Sequence, residues 1–167
     1  MKYSLWFVPT NPTATELQSV IDKLAKQHLS TKFEPHLTLV GNFEIELENL
    51  IKVTKEIAKN TQPFKIKLGE VSFSTTYFQA VFVRAKASAE LMALNLQFKK
   101  ALPLPEDVFM PHLSLWYDAN LDMAKRFTVA NSINLITKEF IADKIIIVPS
   151  VPDPKDWKHL TEIQLGS

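Results

Sequence analysis

The five residues Pro35-His36-Leu37-Thr38-Leu39 return as Pro111-His112-Leu113-Ser114-Leu115, with only Thr exchanged for Ser, and the stretches leading into them also match. Leu5 to His36 and Val81 to His112 both span 31 positions. Each interval reads as strand, helix, then the Pro-His-Leu strand. "YSLWFVP" is β-rich and stops at Pro9; Leu17, Val20, Ile21, Leu24 and His28 then follow at helical spacing. "YFQAVFVRA" leads in the same way into "SAELMALNLQFKKAL", with Ser88 as the predicted N-cap. Two copies of such a unit, packed about a pseudo-twofold, would bring His36 and His112 to one central cleft.

The remaining segments fit around this repeat. "ELENLIKVTKEIAKN" and "LDMAKRFTVANSI" predict helices, while "FKIKLGEVSFS", "KEFIADKIIIVPS" and "DWKHLTEIQL" predict strands. "PSVPDP" at 149–154 predicts a rigid loop. At 167 residues the chain suits a single domain over 1–167 with two pseudo-symmetric lobes.

Composition narrows the partners. With 19 basic and 18 acidic residues there is no broad electrostatic footprint for a long polyanion, although a local phosphate pocket is compatible. The chain has no cysteine, which excludes disulfides and thiolate metal sites. The opening "MKYSLWFVPTNP" is too short and polar-flanked for a signal peptide, and no segment reads as a membrane span. The expectation is a soluble, cytoplasmic monomer.

Strand parity gives the repeated phrase its chemistry. Residues i and i+2 project to one face, so His36 aligns with Thr38, and His112 with Ser114, while the leucines enter the opposite side. Pro35 and Pro111 place each histidine at the mouth of its strand. Two imidazoles can hold opposite protonation states near neutrality, one taking a proton while the other gives one. The hydroxyls can donate to phosphate oxygens where charge must be held. Metal binding by the two histidines is disfavoured, because neither motif carries a third carboxylate or thiolate ligand beyond Glu34. His28 reads as a packed or partly exposed residue of the apolar stripe and His159 as an ordinary member of the terminal strand. Trp6, Phe78, Trp116 and Tyr117 fall on predicted strands beside the motifs, where a flat ring could stack on a nucleobase or simply fill the core. By alternation Trp116 shares the face of His112 and Ser114; Tyr117 points away unless a bulge or the strand end turns it in.

The two H-x-[ST]-L phrases, together with "YSLWFVP", "VSFSTTYFQAVFV" and "MPHLSLWY" in this order, resemble the two-histidine (2H) phosphoesterase superfamily, and within it the plant- and yeast-type cyclic phosphodiesterases. The resemblance implies an α+β, duplicated bilobal fold: two antiparallel-rich sheets facing a central cleft, with helices outside. It implies a phosphoric diester hydrolase that needs no metal or cofactor. The substrate would be a small cyclic phosphate nucleotide, either ADP-ribose 1″,2″-cyclic phosphate or nucleoside 2′,3′-cyclic phosphates. His36 and His112 would be the catalytic pair, Thr38 and Ser114 the phosphate-binding hydroxyls, and Trp6, Phe78 and Tyr117 the substrate-binding aromatics. Gln79 matches the pattern without an assigned role. The alternatives are an RNA-end enzyme of the same superfamily acting on 2′,3′-cyclic or 2′-5′ linked termini, which the near-neutral charge disfavours, and a non-catalytic nucleotide-binding module.

Overall fold

A computed structural model describes residues 1–102, 104–105 and 107–167. The predicted repeat is present as β1 (Lys2–Phe7), α1 (Thr13–His28) and β2 (Leu37–Glu44), matched by β4 (Val81–Ala85), α3 (Ala89–Ala101) and β5 (His112–Trp116). Around it lie α2 (Leu47–Lys59), β3 (Phe64–Phe73), α4 (Met123–Ser132), β6 (Glu139–Ala142), β7 (Lys144–Pro149) and β8 (Thr161–Gln164). Ser88 caps α3 as predicted, accepting from the Leu91 amide at 3.2 Å.

The strands run in the order β6-β3-β4-β5-β2-β1-β7-β8, antiparallel at every pairing. The order is symmetric about its centre: β5 mirrors β2, and β4 mirrors β1. The two expected sheets therefore meet edge to edge, joined by the registered pair Leu37 and Leu113. One residue, Asp143, separates β6 from β7, although β6 is the first strand of the order and β7 the last but one. Consecutive Cα atoms are only about 3.8 Å apart, so the sheet has to curl until those regions approach.

One face of the sheet is covered by the helices. Leu17, Ile21 and Leu24 of α1, Leu50 and Ile57 of α2, and Leu91, Leu94 and Phe98 of α3 form one buried cluster with Leu37, Leu39, Leu113 and Leu115. Each of those four strand leucines is 1% exposed or less, a burial that stabilises by about 2–3 kcal/mol per side chain. This fixes parity as well as stability. A one-residue slip in β2 would expose Leu37 and Leu39 and drive His36 into the helix layer.

Three predicted boundaries shift. "KEFIADKIIIVPS" is two strands, because β6 pairs with β3 while β7 pairs with β1. The terminal strand begins at Thr161, leaving Trp157 and His159 in the preceding loop, where Pro154–Asp156 form a 3-10 turn. Phe78 was expected on a strand, but β4 starts at Val81 and Phe78 belongs to the loop after β3.

Candidate active site

The unhelical face of the sheet holds a cleft of about 490 Å³, and His36, Thr38, His112 and Ser114 all line it. The Leu37–Leu113 register explains their juxtaposition. Continued by one residue each way, it sets His36 opposite Ser114 and His112 opposite Thr38. Each imidazole thus faces the other copy's hydroxyl, which neither motif shows by itself.

Both histidines are anchored identically. His36 Nδ1 lies 2.7 Å from the Glu34 carbonyl, and His112 Nδ1 lies 2.9 Å from the Met110 carbonyl, in each case two residues back. A carbonyl can only accept, so Nδ1 carries the hydrogen and donates. In the neutral ring Nε2 is then the basic atom, and the tautomer is set by the backbone. His36 is boxed by rings: Trp6 stacks on it at 3.6 Å with an interplanar angle of 10°, and Trp157 meets it edge-on at 5.6 Å. His112 is more open and has Phe82 edge-on at 5.4 Å.

Burial pushes the His36 imidazole down to about 4; the Glu34 carbonyl works against that shift and the nearby His112 adds to it. Burial also lowers His112, opposed by its bond to Met110 and assisted by the charge of Arg84. The sign of the consequence is fixed. An unfolded chain protonates His36 near 6.5 but the folded chain only near about 4. The contribution of the neutral ring is therefore complete above pH 6.5 and is lost as pH falls through that window, reaching about 3 kcal/mol. The expected result is a Tm that drops between pH 6.5 and 4, recovered in part by replacing His36 with asparagine; a flat profile would contradict it.

The aromatic walls divide differently from strict alternation. Val81 pairs with Trp116 but Phe82 with Ser114, so β5 carries one extra residue between them. That bulge inverts parity. Trp116 turns to the helix side, 4.5 Å from His28 of α1, instead of sharing the face of His112 and Ser114. Tyr117 turns into the cleft, stacked on Phe33 at 3.9 Å, and burial pushes its hydroxyl pKa upward. Trp6 lies on the cleft face of β1. Phe78, 51% exposed, overhangs the cleft from its loop. Ser114 donates to the Phe78 carbonyl at 2.6 Å, so its hydrogen is directed at that loop.

Several lining residues escaped sequence reasoning. Trp157 lines the cleft beside Trp6 and His36, fixed by its indole N–H donating to the Val151 carbonyl at 2.7 Å. The tryptophan after a Pro-rich loop was the available signal. Ser4, Gly41, Asn42 and Ser150 form the floor: the Ser4 hydroxyl lies 2.7 Å from that of Ser150 and accepts from the Asn42 amide. His159 is not an ordinary strand residue. Its ring bridges the Glu34 and Glu162 carboxylates at 2.7 and 2.9 Å. Burial lowers its pKa, but those two carboxylates outweigh the effect and the net shift is upward. Glu34 consequently serves two histidines, His36 through its carbonyl and His159 through its side chain. Gln79 does not line this cleft but a neighbouring hollow. Among the described residues no group of three or more His, Asp or Glu side chains could hold a metal ion, and no helix is long and apolar enough to cross a membrane.

Gly41 is required by close approach. A Cβ there would lie 2.9 Å from Thr38 Cγ2 and 3.0 Å from Ser4 Oγ. Thr38 is stiff at χ1 and Ser4 is tied to Ser150, so neither yields easily. Gly41→Ala is expected to displace the Thr38 hydroxyl and cost about tenfold or more in kcat/KM with the fold retained. Unchanged kinetics would show that Thr38 is not a positioned group.

A family model described as the 2′-5′ RNA ligase superfamily matches residues 9–149. The chain is 23% identical over 116 residues to a "Cyclic phosphodiesterase" of Arabidopsis thaliana, covering 69% of this chain and 64% of that protein. It is 28% identical over 102 residues to a "2′,3′-cyclic-nucleotide 3′-phosphodiesterase" of Yarrowia lipolytica, covering 56% and 47%. The matched part is thus less than two thirds of either relative. The crystal structure of E. coli LigT complexed with 3′-AMP superposes with a TM-score of 0.61 at 16% identity, covering 99% of both chains.

Proposed function

Because the chain belongs to the 2′-5′ RNA ligase superfamily of two-histidine phosphoesterases, we propose that its cleft hydrolyses the cyclic phosphate of a nucleotide to a phosphomonoester. The observation that carries this reading is the pair of imidazoles in one cleft, each held by Nδ1 so that Nε2 is free for proton transfer. Relatives bearing the names cyclic phosphodiesterase and 2′,3′-cyclic-nucleotide 3′-phosphodiesterase support the substrate class.

The two rings differ in exposure, which supports one division of their roles. His36, 8% exposed, is the more strongly held neutral and acts as base; the more open His112 carries the proton. His36 Nε2 removes a proton from water as its oxygen bonds to phosphorus. The phosphorus–ribose bond breaks, and His112 Nε2 delivers a proton to the departing ribose oxygen. The ring-opened monoester leaves, and one proton passes from His36 back to His112. Thr38 donates to a non-bridging oxygen; Ser114 does so after its hydroxyl turns from the Phe78 carbonyl. Trp6, Phe78 and Tyr117 form the walls against which the nucleoside packs.

Turnover of a panel of cyclic phosphates, with phosphorus NMR of the products and EDTA present, tests the proposal. Ring opening that resists the chelator is expected; binding without turnover across the panel would favour the non-catalytic alternative. The kcat/KM profile should also be bell-shaped, with its maximum on the acidic side of neutrality. Both histidines of the free protein lie below their ordinary range, so the acid form of His112 is lost early as pH rises. A maximum above pH 8 would contradict the assignment.

A further inference from the structure

The charge of the cleft limits which cyclic phosphate can use it, provided that the proposed hydrolysis is the reaction. Among the described residues, none that lines the cleft is Lys, Arg, Asp or Glu. A second hollow, also about 490 Å³, adjoins the first and shares Thr38, Gly41, Asn42 and His112 with it. Its only charged lining residues, among those described, are Lys99 and Asp107. They neutralise each other: Lys99 Nζ lies 2.5 Å from the Asp107 carboxylate and also donates to its carbonyl. Arg84 stands in register with His112 but lies outside both linings, its guanidinium 5.9 Å from the Phe82 ring.

The cleft can therefore offer an anion one full positive charge, the proton that one imidazole carries. That suffices for a cyclic phosphate, which bears a single negative charge. A second phosphate would have to lie against walls built from Val151, Pro152, Trp157 and Phe78, with no cation among the described lining residues to meet it, or remain in solvent at the expense of the nucleoside's contacts with those walls. We infer that the substrate is a mononucleoside 2′,3′-cyclic phosphate, and that the cleft selects against substrates with additional phosphates. These include the pyrophosphate of ADP-ribose 1″,2″-cyclic phosphate and the backbone of an RNA end.

The test compares kcat/KM for adenosine 2′,3′-cyclic phosphate, its 5′-phosphorylated form, ADP-ribose 1″,2″-cyclic phosphate, and an adenosine dinucleotide ending in a 2′,3′-cyclic phosphate. The mononucleoside is expected to lead each of the others by about tenfold or more, because like or uncompensated charges at an interface are costly. Val151→Lys should narrow the gap for the 5′-phosphorylated form. Equal or faster turnover of the multiply charged substrates would overturn the inference, as would a selective loss on them in Arg84→Gln. If nothing in the panel is turned over, the proposed hydrolysis fails instead. Selectivity is then read by calorimetry, where 3′-AMP is expected to bind more tightly than adenosine 3′,5′-bisphosphate; the reverse order overturns the charge argument on its own.

Discussion

Replacing either His36 or His112 with asparagine is expected to lower kcat/KM by about 10² to 10⁴, the range that a positioned acid or base contributes. Asparagine is the informative substitution. Its amide N–H can still donate to the Glu34 or Met110 carbonyl that each ring now holds, but it puts no titrating nitrogen where Nε2 stood. His36→Asn also removes the partner of the Trp6 stack, so its Tm must be followed beside its kinetics. His112→Asn loses less packing and isolates the chemical effect. In the proposed reaction one ring takes a proton and the other supplies one, so the two would act as a unit, and the double variant should fall little below the worse single variant. Losses that multiply would indicate two independent contributions, and activity within a few fold of the parent in either single variant would remove the acid–base reading altogether.

The repeat made the central architecture legible. Matching intervals predicted equivalent strands, alternation predicted which side chains share a face, and the buried leucines hold that alternation in place. What alternation could not supply was any feature that depends on a partner strand. The bulge that exchanges Trp116 and Tyr117 exists only in the pairing of β4 with β5. Likewise, Asp143 separates two strands because each finds a different neighbour in the curled sheet, although "KEFIADKIIIVPS" reads as one run. Trp157 and Ser150 reach the cleft from a loop whose path no periodicity describes. His159 departs from its sequence pattern for the opposite reason: its spacing fits a strand, while its two carboxylate partners come from the approach to β2 and from β8.

Arg126 shows how such a tertiary feature can still leave a mark in sequence, since it occupies the apolar face of α4 alongside Val129 and Ala130. It is 0% exposed and donates to four backbone carbonyls: Ser74 at 2.6 Å, Thr76 at 3.0 Å, Asp118 at 2.6 Å and Asn120 at 2.8 Å. The Asp118 carboxylate supplies the opposite charge, 3.7 Å from Nε. One planar fork therefore ties the loop that carries Tyr77 and Phe78 to the loop that follows Tyr117, across the rim of the cleft. Arg126→Met conserves apolar bulk yet strands those carbonyls and a buried carboxylate, at a cost of about 3–5 kcal/mol. For a chain of this length that corresponds to a fall in Tm of about 10–15 °C. Arg126→Lys retains the charge but cannot span both loops. It should therefore keep more stability than Arg126→Met while raising KM, because Phe78 and its carbonyl, the acceptor from Ser114, lose their fixed position. A lysine variant with wild-type KM, or a methionine variant with wild-type Tm, would show that the cleft wall stands without this tie.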